Sequence, residues 1–272
     1  MKTAVWYHGG CWDGFCAAWI FHTFLLGETA DYVPVQYGQQ PPSLNGCQRL
    51  FIVDFSYPRD VLKSLRGQLQ ELVVLDHHKT AAKELEGLEF CKFDMNKSGG
   101  RLAWEYVAAK TDTPWLVDYT EDRDLWRWRL DWSKEINAWL RSWPLDFKLW
   151  DKFAIVGPGC EAWDARIDEG SAILRREKQI VDEHVSHACE CFLDGHKVLA
   201  VNATVLFSDI AGELASNRPF GVAWFTRNDG KVVHSLRSRE TGVDVSEVAK
   251  RFGGGGHKNA AGFESDKFQG YK

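Results

Sequence analysis

The sequence predicts an α/β fold: a largely parallel sheet flanked by helices, and a smaller α/β C-terminal domain joined to it by a long helix. Three observations lead there. Short apolar runs alternate with helix-like segments through the first 110 residues, the pattern of parallel strands joined by crossover helices. Three of those runs end in His8, Asp54 and Asp76, and ligands in open α/β sheets bind at the carboxyl ends of strands. From about Trp163 to Leu193 there is no Pro and one Gly, while Ile167, Ile173, Leu174, Ile180 and Val181 recur near helical spacing.

In chain order, residues 3–7 read as a strand running into His8-Gly9-Gly10-Cys11-Trp12-Asp13-Gly14, then an apolar helix from about Phe15 to Leu26. Glycines there let the backbone turn tightly and approach a bound group. A strand over 31–36 follows, then one over 50–54 ending in Asp54, then a helix over 58–66 entered through Pro58. A strand over 71–75 meets Asp76-His77-His78. Asp13 and Asp54 can also be read singly as helix caps, but as a set the strand-end residues point to a metal-binding edge. Ser98-Gly99-Gly100 opens a helix over 98–109, whose first N–H groups either face an anion or are capped locally. Residues 115–163 carry eight Trp. Amphipathic helices would bury them, whereas base stacking is the other use of such a cluster. Trp126 and Trp128 are the exceptions to test.

The long helix is expected to include His184, His187, Cys189 and Cys191. On a helix 184, 187 and 191 share a face and 189 does not, so a zinc site is not expected. Beyond it, strands are expected over 197–201, 221–225 and 232–236, and helices over 210–215 and 245–252. Arg237 ends a strand. Gly253-Gly254-Gly255-Gly256 reads as a loop whose N–H groups cradle phosphate, or as a linker. Helix-compatible Ala260-Ala261 after His257 favours the bound loop. The domains are thus 1–160, a metal-binding catalytic domain; 161–194, a linker helix; and 195–272, a substrate-binding domain.

The hydrophobic content of 44% over 272 residues supports two cores. No run nears the ~20 apolar residues of a membrane span. Met1-Lys2-Thr3 opens no long apolar segment, so no secretory signal is expected. Seven scattered Cys fit reduced thiols and a cytoplasmic location. Residues 195–272 hold 11 Lys and Arg against 8 Asp and Glu, whereas the remainder is acidic and the whole chain carries −5. A protein gripping a long nucleic acid is normally basic over its binding face, so a short phosphorylated substrate is favoured.

These residues resemble the DHH phosphoesterase superfamily, named for its Asp-His-His triplet, and the tail Phe252 to Gly262 resembles its associated C-terminal substrate domain. The resemblance implies two divalent ions, usually Mn2+, with Mg2+ or another divalent ion as the alternative. It implies His8, Asp13, Asp54, Asp76, His77 and Asp122 as metal ligands, with Asp54 bridging, and Asp124 as the competitor of Asp122. It implies His78, Arg237 and His257 as catalytic groups facing the phosphate, with Arg237, Gly254, Gly255, Gly256 and His257 as substrate contacts, to which the helix start adds Ser98. Cys11 stands where the family usually has an Asp. It is either a substitute ligand or a small inert residue, and the second is favoured. The implied reaction is hydrolysis of a phosphodiester in a short oligonucleotide or cyclic dinucleotide. The alternatives are a phosphomonoesterase or polyphosphatase acting on a nucleotide bisphosphate or polyphosphate, and a nucleotide-binding protein with weakened catalysis. The expected partner is a short oligonucleotide or small phosphorylated nucleotide, with no membrane. A homodimer is one arrangement the reading allows.

Overall fold

A computed structural model describes residues 1–108 and 112–270. Residue 109, the expected end of the helix over 98–109, lies outside the described residues. The chain divides into two compact units, Met1–Leu174 and Arg175–Lys272.

In the first unit the order is β1 (Thr3–His8), α1 (Trp12–Phe21), β2 (Ala30–Val35), β3 (Arg49–Val53), α2 (Arg59–Gln68), β4 (Glu71–Asp76), α3 (Lys79–Glu84) and β5 (Cys91–Phe93). Then come α4 (Gly99–Ala108), α5 (Trp115–Asp124), α6 (Ser133–Arg141), α7 (Phe147–Ile155) and the start of α8 (Glu161–Ser186). The five strands form a parallel sheet in the order β2-β1-β3-β4-β5.

Alternation along the strands supplies two cores. Val5, Phe51, Val53, Val73 and Leu75 face one side and pack with residues of α1, α4, α5, α6 and α7. Ala4, Trp6, Leu50, Ile52, Leu72 and Val74 face the other and pack with Leu62 and Leu65 of α2. Buried on both faces, such strands read as continuous apolar runs. Trp115, Trp139, Trp150 and Trp163 are buried core residues, whereas Trp126, Trp132 and Trp143 are exposed.

The second unit contains the end of α8, β6 (Cys189–Leu193), β7 (His196–Asn202), α9 (Phe207–Leu214), β8 (Gly221–Thr226), β9 (Val232–Arg237), α10 (Val245–Arg251), β10 (Gly255–His257) and β11 (Ala260–Ser265). Its six-stranded sheet runs β10-β11-β9-β8-β7-β6, antiparallel except for β7 beside β8.

Two sequence expectations change here. The long helix ends at Ser186 rather than Leu193, because Cys191 and Leu193 alternate inward as a strand paired with β7. His184, His187, Cys189 and Cys191 therefore do not share one helix. Ala260-Ala261 is strand rather than helix, held between β9 and β10.

Candidate metal centre

β1 ends in His8, β4 ends in Asp76, and Asp54 follows the last residue of β3. The strands are parallel and neighbouring, so these ends lie side by side. Asp54 leaves its strand at φ 53°, a left-handed conformation that Asp adopts more readily than most residues. Its carboxylate lies between two imidazoles. Oδ1 is 3.1 Å from His77 Nε2, and Oδ2 is 3.5 Å from His8 Nδ1. Asp54 consequently belongs to two groups of potential ligands, each with its donor atoms within 4.8 Å of one another: His8, Asp54 and His78, and Asp13, Asp54 and His77.

Asp13 enters from the first turn of α1, with Oδ2 3.6 Å from His77 Nε2. The same carboxylate accepts the N–H of Gly99 at 2.5 Å and of Gly100 at 2.9 Å. The anion faced by the start of α4 is therefore Asp13 itself. The close approach needs glycine: a Cβ on Gly99 would lie 2.5 Å from Asp54 Cβ, and one on Gly100 would lie 2.9 Å from Cys16 Sγ. Ser98, expected at the substrate, is instead fully buried. Its Oγ accepts the Arg101 N–H at 3.1 Å as a helix cap, and its N–H donates to Glu121 at 3.2 Å.

The two aspartates near the end of α5 separate. Asp124 Oδ2 is 3.6 Å from His77 Nε2 and is buried without a hydrogen bond. Asp122 accepts the N–H of Arg129 at 2.9 and 3.0 Å and that of Leu130 at 3.3 Å. Residues two apart on a helix point roughly 200° apart. The structure thus aims Asp124 at His77 and Asp122, the expected ligand, at the loop beyond.

Both Asp76 oxygens are hydrogen-bonded. One oxygen accepts the Ser56 hydroxyl at 2.5 Å; the other accepts the His77 N–H at 2.7 Å and lies 2.7 Å from His78 Nδ1. Asp76 thus holds His78 by hydrogen bonding and is not among the groups that share donor atoms with Asp54.

The electrostatics are those of anions crowded out of water. Burial, then the neighbouring Asp54 and Asp124, push Asp13 well above the ordinary carboxyl range. Burial and Asp54 likewise raise Asp124. Asp54 is held well below that range: burial opposes this, but the adjacent imidazoles of His77 and His8 outweigh it. Burial works against the imidazolium of His77, yet Asp124, Asp54 and Asp13 raise its pKa well above the usual value. Asp76 outweighs burial to raise His78. Burial, then Asp54, Asp124 and Asp13, push the Cys11 thiol well up, which disfavours a thiolate.

Buried Asp54 Oδ2, Asp124 Oδ2 and His8 Nδ1 make no hydrogen bond. Orphaned acceptors of this kind normally have a partner. Carboxylate and imidazole together suit a divalent transition ion, so the residues fit the implied group.

In the second unit, the four glycines do not form an open loop. Gly255 and Gly256 lie in β10, paired with Gly262 and Ala261. The N–H groups of Gly253 and Gly254 donate to Lys250 and Ala249 at 3.0 and 2.9 Å. A Cβ on Gly254 would lie 2.1 Å from the Gly262 carbonyl oxygen, so close packing requires glycine there. His257 pairs with Ala260, and Ala260 with Arg237. Directly opposed residues share a sheet face, so His257 and Arg237 project from the same face two strands apart. Arg237 donates to Ser208 Oγ at 2.7 Å and to Ser235 Oγ at 3.2 Å.

Residues 200–269 match the DHHA1 domain. That match, over the C-terminal part of the chain, agrees with the resemblance to the DHH superfamily. Uncharacterized protein R106 of Acanthamoeba polyphaga mimivirus is 31% identical over 280 residues, covering 94% of this chain, which spans 66% of that relative's length. The complex of RecJ with Mn2+ from Thermus thermophilus superposes with a TM-score of 0.53 at 16% identity, covering 97% of this chain and 49% of RecJ. An exopolyphosphatase-related protein from Bacteroides fragilis gives 0.53 at 12% identity, covering 100% and 88% of the two chains. At these identities the likeness is one of fold.

Around the DHH triplet, sequence reasoning missed Ser56, Gln36 and Tyr37. Gln36 donates to the Gly9 carbonyl at 2.6 Å. Tyr37, half exposed, meets the ring of His8 at 5.3 Å and that of His78 at 6.0 Å. The signal that could have found them was position: residues 36 and 37 follow the end of β2, at the same sheet edge.

Proposed function

We propose that this chain is a metal-dependent phosphodiesterase acting on short oligonucleotides or cyclic dinucleotides. One observation carries the reading: Asp54 is shared by the His8–Asp54–His78 and Asp13–Asp54–His77 groups, the arrangement of a carboxylate that bridges two ions. His8, Asp13, Asp54, His77 and Asp124 would hold them. Manganese is the favoured ion, with magnesium the alternative. Such ions, when bound, supply positive charge against phosphoryl oxygens and acidify an attacking water.

The chain's own groups do the rest. Asp76 holds His78 by its Nδ1, at 2.7 Å, and raises its pKa, which favours an imidazolium donating to a phosphoryl oxygen. Asp13 ties α4 to the sheet edge and so keeps the carboxylates in register. Arg237 and His257, on one face of the DHHA1 sheet, offer a guanidinium fork and an imidazole to phosphate. The family's breadth leaves polyphosphatase as a second reading, supported by the fold of the Bacteroides fragilis protein. Seven free cysteines support a reducing, cytoplasmic setting. Among the described residues no helix is long and apolar enough to cross a membrane.

The test compares di- to pentanucleotides, cyclic dinucleotides, a nucleotide bisphosphate and polyphosphate, each with manganese, magnesium and zinc. Release of nucleoside monophosphate from the diesters, lost in Asp54→Ala and His77→Ala, is expected. Unaltered turnover in a folded Asp54→Ala variant, or turnover of polyphosphate alone, refutes the reading.

A further inference from the structure

Residues 125–132, between α5 and α6, concentrate backbone strain and exposed aromatic surface. Seven described residues other than Gly have a left-handed φ, and three of them are Trp126, Trp128 and Trp132, at 55°, 53° and 57°. That conformation drives Cβ against the following carbonyl oxygen, a conflict Asn and Asp relieve locally and a bulky ring does not. It persists only where surrounding structure enforces it, and it gathers at functional sites. Asp122 is the enforcer. Its carboxylate accepts the N–H groups of Arg129 and Leu130, and its carbonyl accepts those of Arg127 at 2.8 Å and Trp128 at 3.4 Å.

The loop so held presents its rings. Trp126 is 50% exposed, and its ring meets Trp128 edge to face at 5.0 Å and 72°. Of the exposed Trp126, Trp132 and Trp143, Trp126 stands nearest in sequence to the candidate ligand Asp124. Trp126 follows Asp124 by two residues, a span of at most about 7 Å between Cα atoms, and Asp124 Oδ2 lies 3.6 Å from His77 Nε2.

We propose that Trp126, backed by Trp128, is a stacking platform for the nucleobase attached to a phosphate held at the metal centre. The proposal rests on the phosphodiesterase reading and narrows it to base-bearing substrates. A rigid, half-exposed indole accepts any base through its π-face, which gives affinity with little sequence preference.

The test is calorimetric binding of adenosine 5′-monophosphate and of ribose 5-phosphate, which lacks the base, to the manganese-loaded full chain, with cleavage of a diadenylate assayed alongside. Wild type is expected to prefer the nucleotide by roughly 5- to 150-fold, the worth of one base–aromatic stack. Trp126→Ala should lose that preference while binding ribose 5-phosphate unchanged, and Trp126→Phe, which keeps a ring, should retain most of it. Equal binding of both ligands by wild type overturns the platform, as does a full preference in folded Trp126→Ala or binding of neither ligand. A base preference without cleavage of the diadenylate would sink the phosphodiesterase reading and leave the platform standing.

Discussion

Asp122 and Asp124 stand two residues apart and do opposite work. Asp124 faces His77 with an unpartnered oxygen, whereas the Asp122 oxygens are taken by backbone N–H groups. Asp124→Asn should lose manganese stoichiometry, measured by equilibrium dialysis, with a metal-free melting temperature unchanged or raised, since a buried carboxylate under repulsion is removed. Asp122→Asn should keep the metal and lose roughly 0.5–1.5 kcal/mol of stability, the net worth of a typical hydrogen bond. A metal loss confined to Asp122→Asn would restore it as the ligand. Cys11 yields a second pair. Its thiol lies within the field of Asp13, Asp54 and Asp124. Cys11→Ser should keep activity within a few-fold, whereas Cys11→Asp should lower the metal-free melting temperature and enlarge its rise with manganese, because a carboxylate suits a hard ion. Complete loss of metal binding in Cys11→Ser would make the thiol a ligand. The residue types at this site were legible because three strand ends carried them. The opposite directions of Asp122 and Asp124, and the hydrogen bonds of Asp76, were not. Spacing does not tell which way the end of a helix points, nor that Ser56, twenty residues earlier, holds the other oxygen of Asp76.

The elements that build the centre were legible where apolar runs were long. β1, β3 and β4 and the helices after them stand where the alternation of apolar runs puts them, because each strand is buried on both faces. The end of α8 was not. Cys189 to Leu193 continues an apolar stretch, and five residues are too few to separate a period of two from one of 3.6. The glycines at 253–256 suggested an open loop for a similar reason: close packing against β11 and freedom to bind phosphate call for the same residue. Gly99 shows the point at the centre itself, where α4 approaches so closely that a methyl group would fall 2.5 Å from Asp54 Cβ and 3.0 Å from Asp13 Oδ2. Both contacts are with side chains fixed by hydrogen bonds, so the helix must move. Gly99→Ala should therefore cost about 1–3 kcal/mol as an overpacked core does, and it should lower manganese affinity by displacing Asp13 and Asp54 together. Chemical denaturation and metal titration on the same preparation would check this. Wild-type affinity in a Gly99→Ala protein would show that the contact relaxes without disturbing the carboxylates.

At the scale of the whole molecule, the two units carry different sensitivities. The ligands proposed above, His8, Asp13, Asp54, His77 and Asp124, lie within Met1–Leu174, so chelation should lower the melting of that unit. Acid should act on the second unit through His234. That ring is fully buried, stacked on Phe263 at 4.2 Å and on Phe268 at 5.5 Å, and its Nε2 accepts the Gln269 N–H at 3.2 Å. Burial lowers its pKa from 6.5 to about 4. Between those values the unfolded chain binds a proton that the folded chain does not, so stability falls as pH drops through that window and is unaffected by this group above it. At about 1.4 kcal/mol per pH unit the loss approaches about 2–3 kcal/mol near pH 4. His234→Phe keeps the stack and removes the titration, so its melting should vary less with pH between 6.5 and 4 than wild type. Differential scanning calorimetry of the full chain, with and without manganese and at several pH values, reads both effects at once. If His234→Phe and wild type decline in parallel over that window, the acid sensitivity belongs to other groups and the buried imidazole is not its source.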